Sequence, residues 1–294
     1  MTAPHPTQDN VQERRALFRE WLSRRLSADA LAWLDQQIDA VVQAEKPLQL
    51  GIAIGLAPRK LGKADLDLTA EEQATARAVR EDLDLTGWSV DQAGRALFVL
   101  ASYRGDEADF ARGLDRIFAN AEIGEQIALL RALPLFPAPA LLLPRALEGV
   151  RNAMQPIFEA IAHRNPFPRE QFSEAQWNQM VVKTLFIGSR LAPIQGLDAR
   201  RNADLAQMLI DYADERRAAG RSISPELWRC VAPFAGDAEI ATLKDILAHG
   251  SETEAAGAAL ALAECEAPAA RAALNARQDL AVAIESGRLT WNSL

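Results

Sequence analysis

Apolar residues recur along nearly the whole chain at intervals of three and four, the period that gathers them on one face of an α-helix. Leu31, Leu34, Ile38 and Val41 form one such stripe. The pattern predicts helices over roughly 107–119, 122–133, 141–162, 172–187 and 203–219, then 225–231, 238–248 and 253–264, with two more near the end. Ser89 is placed to cap a helix running through Leu100, with Asp91 and Arg95 forming a favourable pair one turn apart. One passage breaks the period: Leu48, Leu50, Ile52, Ile54 and Leu56 alternate strictly, as in a strand. Nothing else alternates as well, and a lone strand would leave its backbone groups unpaired, so a helix after Pro47 is expected.

The last third of the chain carries short alanine-rich helices, at 237–249, 251–266 and 268–276. Such helices cannot bury their faces alone, and over 237–286 they resemble the stacked pairs of HEAT-type arrays. The proline-rich stretch from Leu133 to Pro144 reads as a tight crossover between helices, not as a linker. The expected fold is all-α, a right-handed α–α array of the HEAT-like solenoid kind with no significant sheet. It is expected to run as a single helical array over residues 1–294, with 1–10 disordered.

Composition narrows the partners. A net charge of −8, from 40 acids against 32 bases, argues against nucleic acid, whose phosphates need a basic face. Cys230 and Cys265 are too few for a disulfide framework and lack metal-ligand spacing, which fits a reduced, cytoplasmic setting. The most apolar run, Leu129 to Leu143, is interrupted by Arg131, Pro134, Pro137 and Pro139, so no transmembrane helix is expected. His5, His163 and His249 form no zinc motif, the Gly51–Gly55 pair lacks the lysine and strand of a phosphate loop, and no nucleophile elbow occurs. Neither a metal nor a cofactor is expected.

Candidate chemistry concentrates between Arg145 and Arg221. On the helix predicted from Leu141, Arg145, Glu148, Asn152, Gln155, Glu159 and His163 share one face, which is either a solvated surface or the polar wall of a groove. Pro156 is expected to kink that helix. A proline-bracketed turn from Asn165 then leads into a helix opening with Trp177, Asn178 and Gln179. Lys183, one of only five lysines, interrupts the apolar surface of that helix. It either snorkels to water or is a pocket cation for an anionic ligand. Asn202 is a good N-cap for the next helix, whose stripe of Leu205, Leu209 and Tyr212 continues to Arg216. An arginine there pairs with an acid or stacks on a ring.

At these residues the chain resembles the EboA domain family. The resemblance is carried by RKLGKADLDLT (59–69), GWSVDQAGRALFVLA (87–101) and ALLRALPLFPAP (128–139), and most densely by RALEGVRNAM, NPFPREQFSEAQWNQMVVKTLFIG, GLDARRNADLAQMLIDYADERRAAGR and PELWR (225–229). These pieces cover most of Arg59–Arg229 in family order, and the block AQWNQM is the specific one. Gln176 and Arg217 depart from the family's alanine and aromatic residue. The resemblance implies a part in making or moving a small secondary metabolite, encoded in the ebo gene cluster of bacteria and some algal plastids. In cyanobacteria that cluster is associated with delivering a sunscreen-pigment precursor toward the periplasm. The family brings no established catalytic residues.

The leading expectation is a non-catalytic helical protein that binds such a metabolite precursor, or scaffolds other proteins of the same gene cluster. Its ligand- or partner-binding set is Arg145, Glu148, Arg151, Asn152, Asn165, Trp177, Asn178, Lys183, Tyr212 and Arg216, of which Glu148, Asn152, Asn165, Trp177, Asn178, Lys183 and Arg216 are expected to converge on one concavity. The alternative is an enzyme acting on that metabolite through a buried acid–base pocket that includes Lys183.

Overall fold

The computed structural model describes residues 8–44 and 48–294, with side chains from Asn10 onward. The disorder expected over 1–10 falls outside these residues for the first seven positions. Among the described residues every regular element is helical, with one isolated bridge between Asp65 and Ser89. The chain divides into two compact units, Met1–Phe172 and Ser173–Leu294.

Unit 1 contains α1 (Gln8–Ser23), α2 (Ala28–Gln43), α3 (Leu48–Leu61), α4 (Ala70–Val79), α5 (Val90–Ala101), α6 (Glu107–Phe118), α7 (Ile123–Arg131), α8 (Pro139–Arg151), α9 (Gln155–Ala162) and α10 (Phe167–Gln171). Its centre is α5, in which every residue except Gln92 is buried. A helix buried nearly all round must be covered on all sides, and α1, α2, α3 and α7 do so. Ser89 stands at its N-cap, as expected.

The anticipated pair of Asp91 and Arg95 forms, but in the core, with Arg95 Nη1 donating to Asp91 Oδ2 at 3.0 Å. The same guanidinium donates through Nε to the Ile54 carbonyl (3.1 Å) and through Nη1 to that of Gly124 (3.2 Å). Ile54 has an unoccupied carbonyl because Pro58, four residues on inside α3, has no N–H to give it. A helix-breaking residue and a buried cation thus satisfy each other, and α3, α5 and α7 are joined at one point.

The helix after Pro47 is present, and the strand-like alternation has a physical origin. Leu50, Ala53, Ile54, Ala57 and Leu61 follow the helical period into the core. Leu48 and Ile52 stand on a second face that stays 72% and 43% exposed. Two apolar faces, superposed, look like period two.

Three boundaries differ from expectation. The helix expected over 141–162 is two helices, broken at Asn152, whose Oδ1 accepts from the Met154 N–H (2.8 Å). Pro156 then lies in the first turn of α9, where a missing N–H costs nothing, so it starts a helix and kinks none. The α-helix expected through Leu133 ends at Arg131 and passes into a 3-10 turn, Leu133–Leu135.

α1 is tied to α4 through Glu72. Arg25 donates Nη2 to Glu72 Oε2 (2.6 Å) and Nη1 to Oε1 (3.1 Å), Arg24 donates to Oε1 (3.0 Å), and the Thr69 N–H closes a capping box (2.9 Å). The Arg25 hydrogen bonds, helped by Thr69 and Arg24, lower the carboxyl from 4.5 to about 2. A depressed folded-state value means the ionised form stabilises the fold above pH 4.5, and that contribution fades as pH falls toward 2. Glu72→Gln is expected to be less stable than the parent at pH 7, with the difference shrinking to nothing between pH 4.5 and 2 in parallel denaturation curves. A difference independent of pH would show that the network contributes nothing through charge.

Unit 2 contains α11 (Glu174–Phe186), a 3-10 turn (Asp198–Arg200), α12 (Ala203–Ala218), α13 (Leu227–Val231), a second 3-10 turn (Ala232–Phe234), α14 (Asp237–His249), α15 (Glu252–Glu264), α16 (Pro268–Leu274) and α17 (Gln278–Glu285). α11 opens at Glu174, three residues before Trp177, because Ser173 and Gln176 form a capping box. α15 is the hub of the carboxy-terminal helices, packing on α13, α14, α16 and α17. Its last residue, Glu264, accepts from Trp291 Nε1 (2.6 Å) and from Arg201, while Arg229 forks onto Asp198 with two bonds of 2.8 Å. No helix among the described residues is long and apolar enough to cross a membrane.

Candidate functional site

Within unit 1 a cleft of about 510 Å³ lies between α3 and the corner joining α6 to α7. Leu48, Ile52, Ile54 and Ile117 supply an apolar body, while Arg116, Asn120, Glu122 and Glu125 line its polar parts. The corner is fixed by local bonds. Asn120 Nδ2 donates to the Arg116 carbonyl (3.1 Å), and Glu125 Oε2 accepts from the Glu122 N–H (3.0 Å) at the start of α7. The other wall is α3, where Gly51 also lines the cleft.

Gly51 and Gly55 cost α3 about 1 kcal/mol each relative to alanine. Packing does not require them. A Cβ would lie 3.6 Å from Ile117 Cδ1 at Gly51 and 3.4 Å from Glu125 Oε1 at Gly55, both ordinary contacts. At Gly94, by contrast, it would meet Leu61 Cδ1 at 2.3 Å, so that glycine is there for close helix contact. Gly51 widens the cleft it lines, and Gly55 stands one turn on, against Glu125.

The ten residues singled out from sequence lie elsewhere, and none lines this cleft. Arg145 donates Nε to Asp115 (2.6 Å) and Nη1 to Glu148 (2.7 Å), so these two neighbours on α8 are joined to α6. Arg151 donates Nε to the Leu147 carbonyl, and Asn152 shapes the α8–α9 break. Asn165 is 2% exposed, with Nδ2 shared between the carbonyls of Leu130 (3.1 Å) and Ala160 (3.0 Å) and Oδ1 taken by the Phe167 N–H (3.0 Å). Its hydrogen bonds are those of a core clamp.

In unit 2, Trp177 is wholly buried, and its indole N–H has no hydrogen-bond partner among the described residues. The Arg200 guanidinium stands 4.7 Å from the ring centroid, and burial lowers its pKa. Asn178 and Asn202 exchange two amide bonds (3.0 and 2.9 Å) while Asn202 Oδ1 also caps α12 through the Leu205 N–H (2.8 Å). At the far end of α11, Tyr212 Oη donates to the Leu185 carbonyl (3.3 Å), and Arg216 lies 6.0 Å from the Tyr212 ring and donates Nε to Ser222. Lys183 is half-buried on α11, and desolvation pushes its ammonium down. A small polar hollow of about 180 Å³ lies nearby, around Ser189, Arg190 and Glu226. Glu226 is held there by Arg190 (2.9 Å) and the Leu191 N–H (2.6 Å).

The buried Cys230 thiol is driven up to about 12 by desolvation and stays protonated at neutral pH. Among the described residues no group of three or more His, Cys, Asp or Glu could hold a metal ion.

The cleft residues were absent from the sequence-derived set, yet they had a signal. It lies in the alternating apolar residues of α3 with two glycines among them, a pattern that predicts the helix but does not by itself mark a cleft.

Neither a curated protein nor a solved structure matches the chain. A family profile described as "metabolite traffic protein EboA" matches residues 14–232, spanning all but the first few described residues of unit 1 and unit 2 through α13. With most of its length matched in this way, the chain belongs to the EboA family.

Proposed function

We propose that this protein is a non-catalytic helical carrier that holds a small secondary-metabolite precursor in the α3/α6–α7 cleft and passes it among other proteins of its gene cluster, in the cytoplasm. The family's description as a metabolite traffic protein supports a metabolite-related role. The single observation that carries the binding reading is the cleft itself. Its volume of about 510 Å³ falls in the range of small-molecule sites, and its walls are aliphatic with a few polar groups. The partner-facing surface is assigned to the polar stripe of α8, namely Arg145, Glu148, Arg151 and Asn152, and in unit 2 to Lys183, Tyr212 and Arg216. Stacking of α14–α17 on one another supports a HEAT-like scaffold for such contacts.

Gly51→Leu tests the carrier role. A leucine there fills the cleft while removing the helix penalty of glycine, so stability is expected to hold or rise by up to about 1 kcal/mol. Native mass spectrometry of the parent protein from cells carrying the whole gene cluster is expected to show a bound small molecule that Gly51→Leu has lost. A parent protein without any small molecule, or a variant that retains it fully, would overturn the assignment.

A further inference from the structure

The polar groups of the cleft are unequal in what they offer. Glu125 uses Oε2 for the α7 cap, leaving Oε1 directed at the bare α3 wall, 3.4 Å from where a Gly55 Cβ would stand. Asn120 uses its Nδ2 on the Arg116 carbonyl, which leaves its Oδ1 as an acceptor. Glu122 adds an exposed carboxylate at the α7 N-cap. The charged donor is Arg116, exposed in the last turn of α6, with the second N–H of Asn120 beside it. Two carboxylates and an amide oxygen against one guanidinium make the polar end rich in acceptors and net negative.

Building on the binding reading above, we propose that the cleft selects an apolar molecule bearing an N–H or O–H donor, and prefers an amine over a carboxylate of the same shape. An ammonium reaching Glu122 and Glu125 gains charge-assisted hydrogen bonds. An anion reaching Arg116 must share the cleft with two like charges. The apolar body in either case lies on Leu48, Ile52 and Ile117. Selection by charge at one end and by area at the other is the usual division of labour in such pockets.

Three probes of nearly equal shape separate the two claims: naphthylethylamine, naphthylethanol and naphthylacetate, titrated into the full chain and followed by naphthalene fluorescence. The alcohol reports the cleft, and Gly51→Leu is expected to abolish its binding. The ratio of amine to carboxylate affinity reports the charge preference, expected to be at least tenfold in favour of the amine at low salt. The double variant Glu122→Gln/Glu125→Gln keeps the capping geometry, because glutamine serves at the third helical position as glutamate does. It is expected to bring the ratio near one while the alcohol still binds, its hydroxyl now accepting from the new amide N–H. A carboxylate that binds as tightly as the amine, or a ratio untouched in the double variant, overturns the charge preference alone. If none of the three binds, the binding reading falls and the preference with it.

Discussion

Arg95→Leu is expected to cost unit 1 about 3–5 kcal/mol, the usual consequence of removing one partner from a buried ion pair. The substitution strands three groups together. Asp91 keeps only the Ser89 hydroxyl, which donates to Oδ1 at 2.5 Å, and its charge stays buried. The Ile54 carbonyl has no helical donor to return to, because Pro58 occupies that position. The Gly124 carbonyl loses its bond as well. Arg95→Lys is expected to recover only part of the loss, since a single ammonium cannot fork among Asp91, Ile54 and Gly124. Urea denaturation followed by circular dichroism measures both variants. A loss below about 1 kcal/mol for Arg95→Leu would mean that water replaces all three bonds, against the burial described for this site.

The second large effect is at Trp177. Trp177→Ala is expected to destabilise unit 2 by about 3–5 kcal/mol, through the cavity it leaves and the ring lost beneath Arg200. Trp177→Phe separates that packing role from a chemical one. It keeps an aromatic platform while removing the indole N–H, which has no partner among the described residues, and part of the second ring. Its stability is expected to stay within about 1.5 kcal/mol of the parent. If the tryptophan serves the core alone, the phenylalanine variant also retains the native small-molecule load by mass spectrometry. Loss of that load at unchanged stability would instead show that the indole N–H meets ligand.

The helical architecture was legible because the chain repeats one instruction, an apolar stripe at intervals of three and four. Capping residues such as Ser89 and Asn202 could be read locally and stand where expected. Boundaries failed where proline's effect depends on register. Pro156 is destructive inside a helix and harmless in its first turn, and only the neighbouring Asn152 break decides which applies. The site was harder for a related reason. Polar side chains such as Asn165 and Asn178 attract attention in a sequence, yet both spend their hydrogen bonds on backbone and amide partners inside the fold. The cleft is built instead from aliphatic residues and missing side chains. Glycine announces an absence, and its meaning depends on what stands opposite. For Gly94 that is Leu61 at a clashing distance, and for Gly51 it is Ile117 at an ordinary one, across the cleft that both line.

α5 also governs how this protein can come into being. Its long apolar face stays exposed until α1, α2, α3 and α7 have closed around it. Sequence from both sides of α5 is therefore required before any of the unit is stable. A nascent chain would remain dependent on chaperones until α7 had left the ribosome, and fragments ending between α5 and α7 would aggregate rather than fold.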